Sequence, residues 1–179
     1  MKAIALSKTQ SALLPLLLAV LLSFMMQSVA AQSNSNHVLV SVGALYERGF
    51  DATLSYEHET KYHNSWEYFM NYYIKYDEDP VAGHITKESF WNNYRTWLVG
   101  AAYKPCVNRG RNHHGNVRFG GSIGSDTDDI IGGIHLGYEH TWTLYRGWEL
   151  FLQAREDFVI RGEDNFRTGV AIGFKIPLQ

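Results

Sequence analysis

The chain has 179 residues and a formal net charge of −2, and 45% of its residues are hydrophobic. Its basic residues form no dense patch, which excludes nucleic-acid binding that rests on charge alone. The single cysteine, Cys106, excludes an internal disulfide, so stability must come from packing and backbone pairing.

The first predicted element is a secretory signal peptide at residues 1–31. It begins with two lysines, continues with an apolar run over 13–29, and ends on small residues suited to cleavage after Ala30 or Ala31. The alternative is a retained membrane anchor, which would need about 20 apolar residues. Cleavage leaves a single domain, 32–179, of about 148 residues with a formal charge of −4.

Behind the signal peptide, apolar and polar residues alternate in segments of about ten residues. A period of two is typical of β-strands, in which successive side chains point to opposite faces. Eight strands are predicted, at 37–47, 50–59, 66–76, 91–104, 117–124, 132–142, 148–157 and 166–176. Eight is an even strand number, and it is the smallest standard size of a membrane barrel. The sequence therefore predicts an all-β fold, an eight-stranded antiparallel up-and-down transmembrane β-barrel.

The third segment shows the alternation most clearly. Its aromatic and aliphatic side chains share one face, and Glu67, Asn71 and Lys75 share the other. In a membrane barrel the apolar face meets lipid and the polar face lines the lumen. The fourth segment alternates less regularly. There we expect an inward Arg95 opposite four outward residues, which are Tyr94, Leu98, Gly100 and Ala102.

The strands of a soluble β-sandwich would also alternate between apolar and polar residues. The residues near the strand ends distinguish a membrane barrel from a sandwich. Aromatic residues lie near predicted strand ends, where a barrel carries its girdles: Trp66, Tyr76, Trp91, Trp142 and Trp148. The last strand, 166–176, resembles the terminal-strand signal of outer-membrane barrels. Together these features favour the outer membrane of a Gram-negative bacterium, with its lipid as the surrounding partner.

Charged side chains on the polar face of the predicted strands would share one narrow interior. They are Glu57, Glu67, Lys75, Arg95, Arg118, Glu139, Arg155, Asp157, Arg167 and Lys175. An eight-stranded barrel is just wide enough to be filled by side chains, and unpaired charges inside it would be costly. We therefore expect a lumen filled with ion pairs and no open pore.

Two long polar loops are predicted. Asp77–Ser89 is the longer one, and a barrel with both ends in the periplasm places it outside the cell. Pro105–Gly115 is the second, and we expect its histidines and arginines to be solvated.

Several residues could be catalytic or metal-binding, but each also fits a simpler role. In Glu139-His140-Thr141, alternation places His140 on the face opposite its two neighbours, which argues against a catalytic cluster. Cys106 with His84, His113 and His114 matches no standard metal spacing. The acidic residues Asp126, Asp128 and Asp129 are typical of a surface turn. The sequence predicts no enzyme and no catalytic, cofactor-binding or metal-binding residues.

Several segments resemble the TraO family of conjugative-transposon proteins, over about 125 residues. The matching segments are Ser55-Tyr56-Glu57-His58 with Tyr62-His63, Tyr94 with Gly100-Ala101-Ala102-Tyr103, Ile131-Gly132-Gly133 through Glu139, Leu150 through Glu156, and Phe166-Arg167 with Gly169 through Lys175. The resemblance implies a non-enzymatic envelope component of a conjugative DNA-transfer apparatus. The implied partners are other transfer proteins, with no direct nucleic-acid binding and no small-molecule substrate. The family supplies no catalytic residues, and 105–115 departs from its pattern.

The alternative function is a small outer-membrane barrel unrelated to conjugation, either a structural or adhesion protein or a lipid-modifying enzyme. An enzyme of this type should bring a nucleophile, a histidine and an acid together at one rim.

Overall fold

The computed structural model describes residues 35–91, 93–126, 129–162 and 164–178. The predicted signal peptide, 1–31, lies outside these residues. Within them, no helix is long and apolar enough to cross a membrane.

The described chain is dominated by long antiparallel β-strands. They are β1 Ser35–Leu45, β2 Gly49–Glu59, β3 Ser65–Lys75, β4 Arg95–Lys104, β5 Cys106–Arg109, β6 His113–Ser125, β7 Ile130–Thr143, β8 Glu149–Ile160 and β9 Phe166–Leu178. A five-residue helix, α1, spans Lys87–Trp91. The predicted fourth strand begins four residues early, because α1 occupies its predicted start.

The sheet closes on itself. Each long strand pairs with its neighbours, β1 pairs with β9, and β4 pairs with β6 to complete the ring. The prediction of a closed eight-stranded antiparallel barrel is confirmed. Closure gives every long strand two partners, which removes the exposed edges of an open sheet.

The short strand β5 extends β4 beyond Pro105. It pairs with β6, where Arg109 lies opposite His114, and the register shifts between Cys106 and Asn108. The predicted loop 105–115 is therefore wrong, since most of it is a β-hairpin. Repeated histidines, asparagines and arginines hid the strands because they show no apolar alternation.

The two ends of the barrel differ in their connections. We call the end with residues 60–64, 105–112 and 144–148 the turn rim. Tight backbone bonds close two of its turns, from Thr60 N to Asn64 O at 2.7 Å and from Leu144 N to Trp148 O at 2.7 Å. The other end, which we call the loop rim, consists of 46–48, 76–91, 93–94, 126, 129, 161–162 and 164–165.

The longest loop, 76–94, is held by packing and by a local turn. Phe50, Tyr76 and Phe90 stack at its base, with ring centroids 5.2–6.3 Å apart. At its tip, the Asp79 carboxylate accepts backbone N–H bonds from Val81 and Ala82. These bonds stabilise the charged form, so the pKa of Asp79 lies below its usual value.

Exposure alternates along the strands as predicted in seven of the eight long strands. Outward residues such as Val42, Leu54 and Ile123 are more than half exposed, and they form the apolar outer belt. Their inward neighbours are buried. An apolar surface this continuous suits lipid contact.

The exception is β4, where the predicted faces are reversed. Leu98 and Ala102 are buried in the lumen at 2% and 1% exposure, Gly100 shares their face, and Arg95 points outward. Trp97-Leu98-Val99 is apolar throughout, so polarity alone could not assign the face. Tyr94 precedes the strand, and its hydroxyl donates to Asp126 in the loop rim.

Candidate functional site

The lumen is the one region where polar and charged side chains converge from all eight long strands. Alternation aims every second side chain inward, and the narrow barrel brings opposite walls into contact. The buried charged side chains are Asp51, Glu57, Glu67, Lys104, Arg118, Glu139, Glu149, Arg155, Asp157, Arg167 and Lys175. This set is the candidate site, and its geometry determines what the lumen can do.

Two lysines and two glutamates form the base of the network, nearest the turn rim. Lys175 Nζ lies 2.8 Å from Glu57 Oε1 and 2.8 Å from Glu139 Oε1. Lys104 Nζ contacts the other oxygen of Glu57 and lies 2.8 Å from Glu139 Oε2. Each carboxylate is therefore shared between two ammonium groups, which satisfies both charges away from water.

A third glutamate ties this base to the middle of the lumen. Glu57 and Glu67 are direct cross-strand neighbours, an arrangement that is destabilising for like charges. Lys104 offsets this repulsion, since its Nζ lies 3.6 Å from Glu67 Oε2 while it also contacts Glu57. Arg118 Nε donates to Glu67 Oε2 at 2.8 Å, and Ser55 Oγ donates to Glu67 Oε1 at 2.8 Å.

Arg155 joins two aspartates on opposite sides of the upper lumen. Its Nη2 lies 2.7 Å from Asp51 Oδ2, and its Nε lies 3.3 Å from Asp157 Oδ2. Asn71 Nδ2 also donates to Asp51 Oδ2, at 2.6 Å. The predicted filling of the lumen by ion pairs is confirmed for these residues.

Three luminal side chains form a serine–histidine–aspartate chain that sequence reasoning missed. Ser122 Oγ lies 2.6 Å from His135 Nε2, and His135 Nδ1 lies 2.7 Å from Asp157 Oδ1. These are the atom pairs of a hydrolase triad. The three residues come from β6, β7 and β8, so only the strand register brings them together.

The space beside two members of this triad is small. The cavity that His135 and Asp157 line has a volume of about 10 Å³, roughly what one water molecule needs. Towards the loop rim, Leu98, Ile131 and Val159 pack into an apolar cluster that is at most 2% exposed. An ester or amide substrate would not fit into the cavity beside His135 and Asp157.

Arg167 closes the lumen beside that apolar cluster. Its guanidinium lies 4.1 Å from the ring centroid of Tyr73, and Nη1 donates to Thr96 Oγ1 at 3.0 Å. The Tyr73 hydroxyl donates to Asp164 Oδ2, and Asp164 Oδ1 lies 2.8 Å from Lys75 Nζ. The loop rim is thereby tied to the upper end of the lumen.

The structure places the predicted luminal charges in three ways. The predicted inward position of Arg95 is wrong, because Arg95 points outward from β4. Lys75 lies at the loop rim in its pair with Asp164, and the other eight predicted charges are buried inside. Asp51, Lys104 and Glu149 are also buried, although the ten predicted charges do not include them. Lys104 shares the face of Ala102, which the sequence analysis placed outward.

The other candidate residues lie apart from one another. His140 faces outward between buried Glu139 and Thr141, as the alternation predicts. His114 is buried in β6, where its ring stacks on that of His63 at 4.4 Å, so the predicted solvated loop is wrong there. Asp126 and Asp129 close the turn between β6 and β7, while Asp128 lies outside the described residues.

The single cysteine lies at one end of the barrel, outside the network of luminal charges. Cys106 Sγ lies 3.4 Å from Arg109 Nε at the turn rim. Among the described residues, no three histidine, cysteine, aspartate or glutamate side chains are grouped to hold a metal ion.

Comparison with solved structures relates this geometry to known barrels. The chain is similar to Neisserial surface protein A, with a TM-score of 0.57, 12% identity and coverage of 79% of this chain and 94% of that one. It is also similar to a major outer membrane protein from Thermus thermophilus, with a TM-score of 0.54, 11% identity and coverage of 82% and 100%. The fold is that of outer-membrane β-barrels. No protein-family model and no curated protein matches the chain.

Proposed function

We propose that the chain is a non-enzymatic outer-membrane barrel of a Gram-negative bacterium that serves as an envelope component of a conjugative DNA-transfer apparatus. The observation that carries the non-enzymatic part is the filled lumen. Two lysines and three glutamates close its lower half, and Leu98, Ile131 and Val159 close its upper half. A sealed barrel of this kind acts through its rims and its outer surface.

The apolar belt and the similar barrels support the outer-membrane location. The conjugative role rests on the TraO-like segments in the sequence, which occupy β2, β4, β7, β8 and β9. The partners would then be other transfer proteins in the envelope, contacted through the loop rim or the turn rim. The lumen offers DNA no passage, so direct nucleic-acid binding is not part of the proposal.

The conjugative role is tested by deletion in donor cells. We expect the frequency of transfer to fall and to be restored by the wild-type chain. As a matched control, an unrelated eight-stranded barrel such as Neisserial surface protein A is expressed in its place and should not restore transfer. An unchanged frequency of transfer after deletion would refute the conjugative role. It would not affect the assignment of the barrel fold.

The second candidate is a lipid-modifying hydrolase, and the Ser122–His135–Asp157 chain is the observation that favours it. The cavity of about 10 Å³ beside His135 argues against it, because an acyl chain and its headgroup need far more room. A covalent serine probe separates the two candidates, as described in the Discussion.

A further inference from the structure

The two ends of the barrel carry opposite charge. The turn rim, at 60–64, 105–112 and 144–148, contains four Lys or Arg and no Asp or Glu. The described residues of the loop rim contain eight Asp or Glu and three Lys or Arg. The whole chain is close to neutral, so this asymmetry is invisible in its net charge.

The four cations of the turn rim are Lys61, Arg109, Arg111 and Arg146, and all four are exposed. Among the residues that the structure describes, none of them makes an ion pair. The nearby Glu59 is already engaged, because it accepts from Ser35 Oγ and lies 2.6 Å from His63 Nδ1.

A cation at the opposite end behaves differently. Arg48 in the loop rim lies 3.0 Å from Asp77 and 3.8 Å from Glu78. The protein therefore neutralises this arginine internally, whereas the turn-rim cations stay accessible to an external anion.

Aromatic side chains accompany the turn-rim cations. Arg109 lies over the Tyr62 ring at 4.9 Å, and Arg146 lies over the Tyr145 ring at 5.2 Å. Both tyrosines are well exposed, at 67% and 79%. Amphipathic rings beside arginine at the edge of an apolar belt are typical of side chains at the level of lipid headgroups.

The cations also surround the barrel, because their three turns connect β2 to β3, β5 to β6 and β7 to β8. A protein partner would contact one sector of the rim, whereas a lipid leaflet surrounds it. We propose that the turn rim binds the phosphate headgroups of anionic phospholipids in the leaflet at that end. This site does not depend on the conjugative role.

The test uses the full barrel in phosphatidylcholine vesicles that contain brominated phosphatidylglycerol or, separately, brominated phosphatidylcholine. Trp142 and Trp148 lie at the turn rim and report lipid contact through fluorescence quenching. At low salt we expect quenching by brominated phosphatidylglycerol to be about three times that by brominated phosphatidylcholine. This ratio should fall towards one at high salt, because screening weakens the attraction.

The decisive variant combines Lys61→Gln, Arg109→Gln, Arg111→Gln and Arg146→Gln. Its preference for phosphatidylglycerol should fall to about one, because the cations are gone while the tyrosines remain. The matched control combines Arg48→Gln, Lys87→Gln and Arg161→Gln at the loop rim and should keep the preference. Heat-modifiable gel mobility confirms that each variant is folded.

Three results would overturn the proposal: no preference in the wild type, a preference that survives in the turn-rim variant, or an equal loss in the loop-rim control. A fourth would be binding of soluble poly-glutamate to the rim without any headgroup preference. That result would assign the rim to an acidic protein instead.

Discussion

At the residue scale, Lys104 is the side chain on which the luminal network depends most directly. It is fully buried and contacts carboxylates that come from β2, β3 and β7. Removal of one member of a buried ion-pair network leaves the remaining charges without compensation, and the cost exceeds what the pairs contributed.

We therefore expect Lys104→Met to lower the free energy of unfolding by about 3–5 kcal/mol. The control is Lys61→Met, an exposed turn-rim lysine whose loss should change stability by about 0.5 kcal/mol or less. Urea unfolding in detergent micelles, followed by tryptophan fluorescence, measures both. Equal effects in the two variants would show that the network adds nothing to stability.

Ser122 provides the second residue-scale prediction. Its hydroxyl has the hydrogen-bond partner of a nucleophile, but the cavity beside that partner, His135, admits about one water molecule. A fluorophosphonate probe should leave the folded protein unlabelled while it labels a serine hydrolase in the same tube. Labelling that disappears in Ser122→Ala would contradict the non-enzymatic account and favour the hydrolase.

The residues of the lumen differ in how far the sequence predicted them. The sequence predicts Glu57, Glu67 and Lys175 in the interior because each lies on the face opposite the apolar residues of its strand. Lys104 was missed because the apolar run in β4 concealed its face. The triad was missed for another reason: Ser122, His135 and Asp157 are far apart in sequence, and only the register joins them.

At the element scale, β4 is the strand whose faces the structure corrected. Val99 is 47% exposed on the outer face near the middle of the strand, so it should meet the lipid core. Val107 in β5 is 61% exposed at the turn rim, where the membrane ends.

We expect Val99→Arg to destabilise the barrel by about 2–4 kcal/mol in a bilayer, because an arginine at the midplane must leave water. Val107→Arg should cost about 0–1 kcal/mol, since its charge reaches the interface. Reversible urea unfolding in lipid vesicles measures both changes. Similar values for the two variants would contradict the corrected outer face of β4.

Strand β6 contains several glycines, and two of them, Gly121 and Gly124, lie on opposite faces of the strand. A Cβ on Gly124 would collide with the backbone carbonyl of Trp97, whereas a Cβ on Gly121 would meet nothing closer than 3.6 Å. Gly124 therefore permits the close approach of β4 and β6 that closes the ring.

Gly124→Ala should accordingly lower the unfolding free energy by about 1–3 kcal/mol through overpacking. Gly121→Ala, three residues away on the outer face, should change it by about 0.5 kcal/mol or less. Urea titration of the two alanine variants in the same detergent checks the difference. A Gly124→Ala variant as stable as Gly121→Ala would mean that the β4–β6 contact is looser than the structure shows.

The elements show where sequence periodicity is informative. Seven strands have the predicted faces because their charged residues lie on one face and most of their apolar residues on the other. The sequence predicts a loop where β5 and the start of β6 form a hairpin, because the histidines, asparagines and arginines there show no periodic alternation. Backbone pairing with β7 makes that segment a strand, and this depends on contacts distant in sequence.

At the scale of the whole molecule, the strand count and the inward charges predicted a closed barrel with a filled interior. The sequence could not predict which charges pair, because pairing depends on how the walls of the barrel face one another. The opposite charges of the two rims were likewise hidden, since they emerge only when the turns are grouped by end.

The central claim is that this chain forms a closed barrel that spans a membrane. The most direct test is gel mobility of the protein extracted from outer membranes, with and without boiling. Hydrogen bonding around the whole ring should keep the unboiled protein compact in detergent, so the account predicts a shift in mobility on boiling. Identical mobility before and after boiling, together with release of the protein in soluble form, would contradict it.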